Sequence, residues 1–177
     1  MGIAARRGLL TCYAVELVAL AVWTGGLVVI VATVIPAVFN SLEMEVGGRF
    51  LTRVFDGYNR ATLGAILVLV ASSVVREWGA RGGRMSGGQL TRMEALLLTT
   101  MIVIGTLIML VLGPQSVALQ EEAFAAKDDG ARKLAYAAFF RIHTVVRGLY
   151  LLNLGLGIAL IAVKVRAWAG RTGGTET

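Results

Sequence analysis

The chain has 177 residues, 56% of them hydrophobic and only 16% charged, with a formal net charge of +6. That apolar share excludes an ordinary soluble domain. The excess base does not mark a nucleic-acid surface either, because it sits at the ends of apolar runs rather than on one patch. Cys12 is the only cysteine, which rules out an internal disulfide or a cysteine-cluster metal site and reads as a small buried side chain.

Four apolar runs, at residues 12–39, 58–76, 95–113 and 144–163, each approach the roughly 20 residues a helix needs to cross a bilayer. None alternates apolar and polar residues, so they read as helices rather than strands of a closed barrel. The expectation is an all-α, integral membrane four-helix bundle forming a single four-span domain over residues 1–177. A short amphipathic cap helix lies between helices 1 and 2, and the fourth helix is extended.

In chain order, the opening MGIAARRGLL looks like the start of a signal peptide. The apolar stretch behind it is about twice a normal signal core, so it reads as a retained first span. Glu16 falls about two turns inside that span, where an acid is expected to be paired, protonated or functional. Lys164 lies at a similar height on the antiparallel fourth helix, and Glu16 reads either as a snorkelling or salt-bridged acid or as a proton-coupling or cation site. Trp23, Gly25 and Gly26 follow; small residues let helix backbones approach closely in lipid, and Gly148, Gly155 and Gly157 offer the same on the fourth helix. Pro36, near the outer end and followed by Phe39, removes a backbone hydrogen bond, freeing the Ala32 carbonyl and bending the chain.

Residues 42–56, LEMEVGGRFLTRVFD, place Val46, Phe50, Val54 and Phe55 on one helical face and Glu45, Arg49, Arg53 and Asp56 on the other, which predicts the cap helix. The linker REWGARGGRMSGGQLTR reads as a flexible turn. Gly113-Pro114 terminates the third helix. Met85, Met93, Met101 and Met109 recur every eight residues, a step that drifts about 80° around a helix, so they form no metal-binding seam. The fourth helix starts near Ala131 and carries His143, Arg147, Tyr150 and Leu154 at the spacing of one stripe, with Asn153 rotated from it. Internal repetition is weak.

Charge sets the expected topology. With both termini on one side, that side holds Arg6, Arg7, Arg76, Arg81, Arg84, Arg92, Lys164, Arg166 and Arg171 against Glu77, Glu94 and Glu176, while the other is nearly neutral. The positive-inside rule then makes both termini cytoplasmic and the membrane the inner, cytoplasmic one. Trp78 and Trp168 suit the cytoplasmic interface.

No hydrolase-like nucleophile set accompanies the single histidine, so soluble-type catalysis is not expected. The polar residues instead suggest a path lined by Glu16, His143, Arg147 and Asn153, as in a small-solute transport or resistance factor. Such a small bundle would need to oligomerise to enclose that path. The alternatives are a haem-binding oxidoreductase with His143 as an axial ligand, or a non-catalytic subunit of a larger membrane complex. No cofactor is otherwise expected, a metal is left open, and the lipid bilayer is the expected partner.

Trp23, Thr24, Gly25 and Gly26, then Pro36 to Phe39, then Gly48 to Phe50 through Phe55 to Tyr58, and finally Phe140 to His143 with Asn153 and Leu154, give a chain-long resemblance to the four-helix CopD-like membrane superfamily. It most resembles the branch of unknown function that includes a transmembrane protein associated with cisplatin resistance. The resemblance implies a four-helix bundle and a link to metal or drug resistance. Copper-handling relatives offer more histidine or methionine at the outer face. A haem-associated relative carries a histidine about two turns before its tryptophan, where this chain has Glu16.

Overall fold

The computed structural model describes residues 3–83, 85 and 87–172, with side chains from 5 to 168 within those ranges. Arg84 and Glu176, counted in the charge balance, lie outside them, as does the Arg171 side chain. Among the described residues the chain is all-helical: α1 (Ile3–Val29), a π-turn (Ile30–Val34), α2 (Ile35–Ser41), α3 (Met44–Arg81), α4 (Arg92–Leu107), a second π-turn (Ile108–Leu112), α5 (Gly113–Ala125) and α6 (Asp129–Thr172).

Four continuous helical runs, Ala5–Ser41, Met44–Arg81, Arg92–Ala125 and Asp129–Trp168, are long and apolar enough to cross a membrane. At 34 to 40 residues each they extend to about 50–60 Å, well beyond a hydrocarbon core of about 30 Å. Large apolar side chains point outward along them, Val18, Leu67, Leu96 and Leu110 among them, while four charged residues are buried. Such an apolar exterior identifies a multi-pass membrane protein whose surface meets lipid.

The amphipathic stretch 42–56 is not a separate element. From Met44 it forms the first turns of α3, which runs unbroken to Arg81; Gly47, Gly48 and Gly57 are its helix-weakening residues before the apolar run, and each costs only about 1 kcal/mol. Gly113-Pro114 likewise does not end the third helix. The chain continues into α5 because the preceding π-turn lets the Gly113 N–H bond to the Ile108 carbonyl, and proline then occupies the first turn of α5, where no donor is needed. The same device precedes Pro36, with the Ile35 N–H bonded to the Ile30 carbonyl.

The linker after α3 is a set of hydrogen-bonded turns rather than a free tether. Gly82, Gly83, Met85 and Gly88 donate N–H groups to the carbonyls of Trp78, Ala80, Gly79 and Met85, and Gly83 and Gly87 take the positive φ these turns require.

The chain packs as two compact units. The first comprises Met1–Gly26, Arg60–Thr100 and Leu156–Thr177. Its core holds Leu9, Tyr13, Leu20, Trp23, Leu69, Leu98 and Leu160. The second comprises Leu27–Asn59 and Met101–Gly155, around Leu27, Ile30, Leu51, Tyr58, Met101, Ile108 and Val146. Within it Tyr150 donates to Asn59 Oδ1 at 3.1 Å and packs against Phe55 and Tyr58. Arg49 pairs with Glu45 and Glu121 over the Phe124 ring.

Candidate functional site: a buried charge tetrad

Each helical run in the first unit presents one buried stripe, and on each stripe one position is charged. On α1 the stripe is Leu9, Tyr13, Glu16, Leu20 and Trp23; on α3 it is Ala65, Leu69, Ser72 and Arg76; on α4 it begins with Glu94 and Leu98; on α6 it ends with Leu160 and Lys164. These are steps of three and four residues, the helix repeat. The charges are thus in register with the core and cannot turn to solvent without rotating their whole helix.

Glu16, Arg76, Glu94 and Lys164 have 0, 0, 2 and 1% of their surface exposed, and they meet in one net-neutral cluster. Glu16 Oε2 accepts from Arg76 Nη1 at 2.7 Å and from Lys164 Nζ at 2.6 Å. Glu94 Oε1 accepts from Arg76 Nη1 at 2.8 Å and also from Lys164 Nζ. One oxygen of each acid therefore bridges both cations. Arg76 Nη2 donates to the Tyr13 hydroxyl at 2.9 Å, and its guanidinium lies 4.2 Å from the centre of that ring. Buried leucines sit one or two turns along each helix, at 20, 69, 98 and 160, so the charges face a low-dielectric layer. There an unpaired charge costs several kcal/mol, roughly, and alternating signs are what make the cluster tenable.

Local sequence fixes the acid on α4. The Thr91 hydroxyl accepts the Glu94 N–H at 3.1 Å, as a helix cap does. The pattern Thr-x-x-Glu would ordinarily return the glutamate to the cap residue, but here its carboxylate bonds the two cations instead. Glu77, next to Arg76 in sequence, points away and ties the linker by accepting from Arg81 and the Leu90 N–H. Two polar atoms of the tetrad, Glu16 Oε1 and Arg76 Nε, are buried without a hydrogen-bond partner, as is Ser73 Oγ one turn before Arg76. A water can satisfy such groups, accepting from the Arg76 Nε–H and donating to Glu16 Oε1.

The other candidates for the polar path fall in the second unit. Asn153 is buried; its amide donates to the Met101 carbonyl at 3.4 Å and its Oδ1 has no partner. His143 and Arg147 are exposed, with His143 stacked on Phe139 at 5.2 Å. Within the second unit, then, the exposed pair is not part of the buried surroundings of Asn153. Trp23 is buried, Phe39 and Pro36 are exposed, and Gly26 is half-buried. A methyl group added at Gly25, Gly148 or Gly155 would meet nothing within 4 Å. The close backbone approach expected at these glycines is found instead at Gly47, against Val38, and at Gly48, against Phe124.

Sequence reasoning missed Arg76 and Glu94, which it counted only in the charge balance of the basic side. The detectable signal was register: Arg76 lies seven residues beyond Leu69, and Glu94 four before Leu98.

No curated protein and no solved structure matches the chain. One family model does, over residues 18–125, a stretch that contains Arg76 and Glu94 but neither Glu16 nor Lys164. On that match the chain belongs to the family defined by the domain of unknown function DUF4149.

Proposed function

We propose that this chain is a small membrane transport factor in which the charge tetrad couples protons to movement of a solute. The observation that carries the reading is the burial of two acids and two bases, one from each long helical run, in a single neutral cluster. Ionisable groups inside membrane helices are expensive, and their common use is in ion and proton pathways. Adding a proton to either carboxylate removes one of the two negative charges that balance Arg76 and Lys164. The state of the acids is thereby linked to how tightly the four helices are held together. Glu16 Oε1, lacking a partner, is the oxygen at which a proton arrives without first breaking an ion pair.

The resemblance to CopD-like proteins supports a metal ion or a cationic drug as the solute class. The charge distribution supports an inner-membrane location with both termini cytoplasmic, which puts the tetrad toward the cytoplasmic ends of the helices. A chain of this size encloses a pathway as an oligomer.

The test is proton flux into proteoliposomes under an imposed pH gradient, read with an internal pH dye. Wild type should exceed empty liposomes by about tenfold, the order expected for a real coupling effect. Glu16→Gln and the fully apolar E16M/R76M/E94M/K164M should both fall to the empty level. Flux through the apolar variant equal to that of wild type would sink the proposal, as would a wild type indistinguishable from empty liposomes.

A further inference from the structure

The tetrad and the two π-turns share a register that residue identity alone conceals. Ile108 follows Glu94 by the same fourteen residues that separate Ile30 from Glu16, and Pro114 follows Glu94 by the same twenty that separate Pro36 from Glu16. Between those marks, buried Leu98, Met101, Gly105 and Ile108 stand where buried Leu20, Trp23, Leu27 and Ile30 stand in α1 and its π-turn. The π-turns occupy equivalent five-residue windows, Ile30–Val34 and Ile108–Leu112, each followed at its second position by proline.

The second helix of each pair agrees in the same way at a spacing of 88 residues. Every described buried position of α6 has a buried counterpart in α3: Ala135 with Gly47, Val146 with Tyr58, Asn153 with Ala65, Gly157 with Leu69, Leu160 with Ser72, and Lys164 with Arg76. A slip of one residue would rotate a helix by about 100° and destroy the match. The extra ten residues fall between Pro114 and Ala135, where the second pair has the longer α5 and its own loop.

We infer that the chain is two tandem copies of one helical hairpin, and that each copy carries the same conformational device: a π-turn closed by proline, which serves as a bending point in its first helix. The tetrad is then one acid and one base from each copy, at equivalent positions. Successive copies in the same chain direction form a parallel repeat, because each hairpin returns the chain to its starting side. The bending point follows from chemistry. Proline supplies no N–H, so the turn before it widens until the Ile35 and Gly113 donors reach back five residues to Ile30 and Ile108. A turn with fewer and longer-range bonds opens more easily than the α-helix on its N-terminal side.

The inference does not depend on transport and is tested without it. Amide hydrogen exchange, read by mass spectrometry on the full chain in detergent micelles, should show residues 30–35 and 108–113 exchanging about tenfold faster than the preceding turns. Pro36→Ala and Pro114→Ala restore a donor and place the best helix former there. Each should slow its own segment to the level of its neighbours and leave the other segment as a control. The inference is overturned if either segment is as protected as its flanking helix, or if only one of the two responds to its alanine.

Discussion

Arg76 binds both acids of the tetrad and Tyr13, so its removal leaves two buried carboxylates sharing the single Lys164 ammonium and a cluster that is no longer neutral. Taking away one member of a buried ion pair costs about 3–5 kcal/mol, whereas replacing the whole group by apolar side chains of similar volume is often neutral. Arg76→Met should therefore lower the unfolding free energy in mixed micelles by about that amount, and E16M/R76M/E94M/K164M should recover most of it. If the fourfold variant is no more stable than Arg76→Met, uncompensated charge is not what the single substitution exposes. The exposed ions contribute differently. Arg49 and its partners Glu45 and Glu121 are each about half-exposed, and such pairs contribute about 1 kcal/mol or less.

At the scale of the helices, the glycines divide by what surrounds them. A Cβ at Gly47 would stand 3.1 Å from Val38 Cγ1, while one at Gly25 would meet open space. Gly47→Leu should lower the thermal midpoint through overpacking worth about 1–3 kcal/mol. Gly25→Ala should leave it unchanged or raise it, since alanine is about 1 kcal/mol better than glycine within a helix. The reverse order would mean that Gly25 meets another chain in the membrane. The long helices also explain why the cap stretch was misread as a separate element. Its polar face, with Glu45, Arg49, Arg53 and Asp56, differs from the apolar run that follows. A change of solvent along a continuous helix produces that shift as readily as a break does, and sequence alone does not tell the two apart.

For the whole molecule, four candidate spans give an expected topology with both ends on one side, and the basic residues of the sequence cluster in the segments assigned to that side. Reporter fusions that are active only in the cytoplasm should report at the Gly82–Gly83 turn and stay silent at Lys127. The opposite pattern would invert the orientation and place the tetrad toward the outside. Two of the bases in that count, Arg76 and Lys164, are buried and paired. The orienting charge therefore rests on exposed residues that can meet lipid headgroups, such as Arg6, Arg7 and Arg92.

Composition and run length alone determined that this is an all-helical membrane protein of four spans, because a bilayer forces long apolar helices whatever their packing. The burden on Glu16, and Lys164 at a similar height, were also legible, since depth along a helix follows from counting residues. What only the tertiary structure decided was the company those two keep. Arg76 and Glu94 flank a glycine-rich turn and look like surface charges in a list, yet the rotation of α3 and α4 aims them inward. Rotation about a helix axis is set by packing against neighbours, and a uniformly apolar run carries little periodic signal to fix it beforehand. The repeat was hidden for the same reason. In lipid many apolar residues are interchangeable, so the two copies keep their burial register, their acids, their bases and their prolines while sharing few other identities.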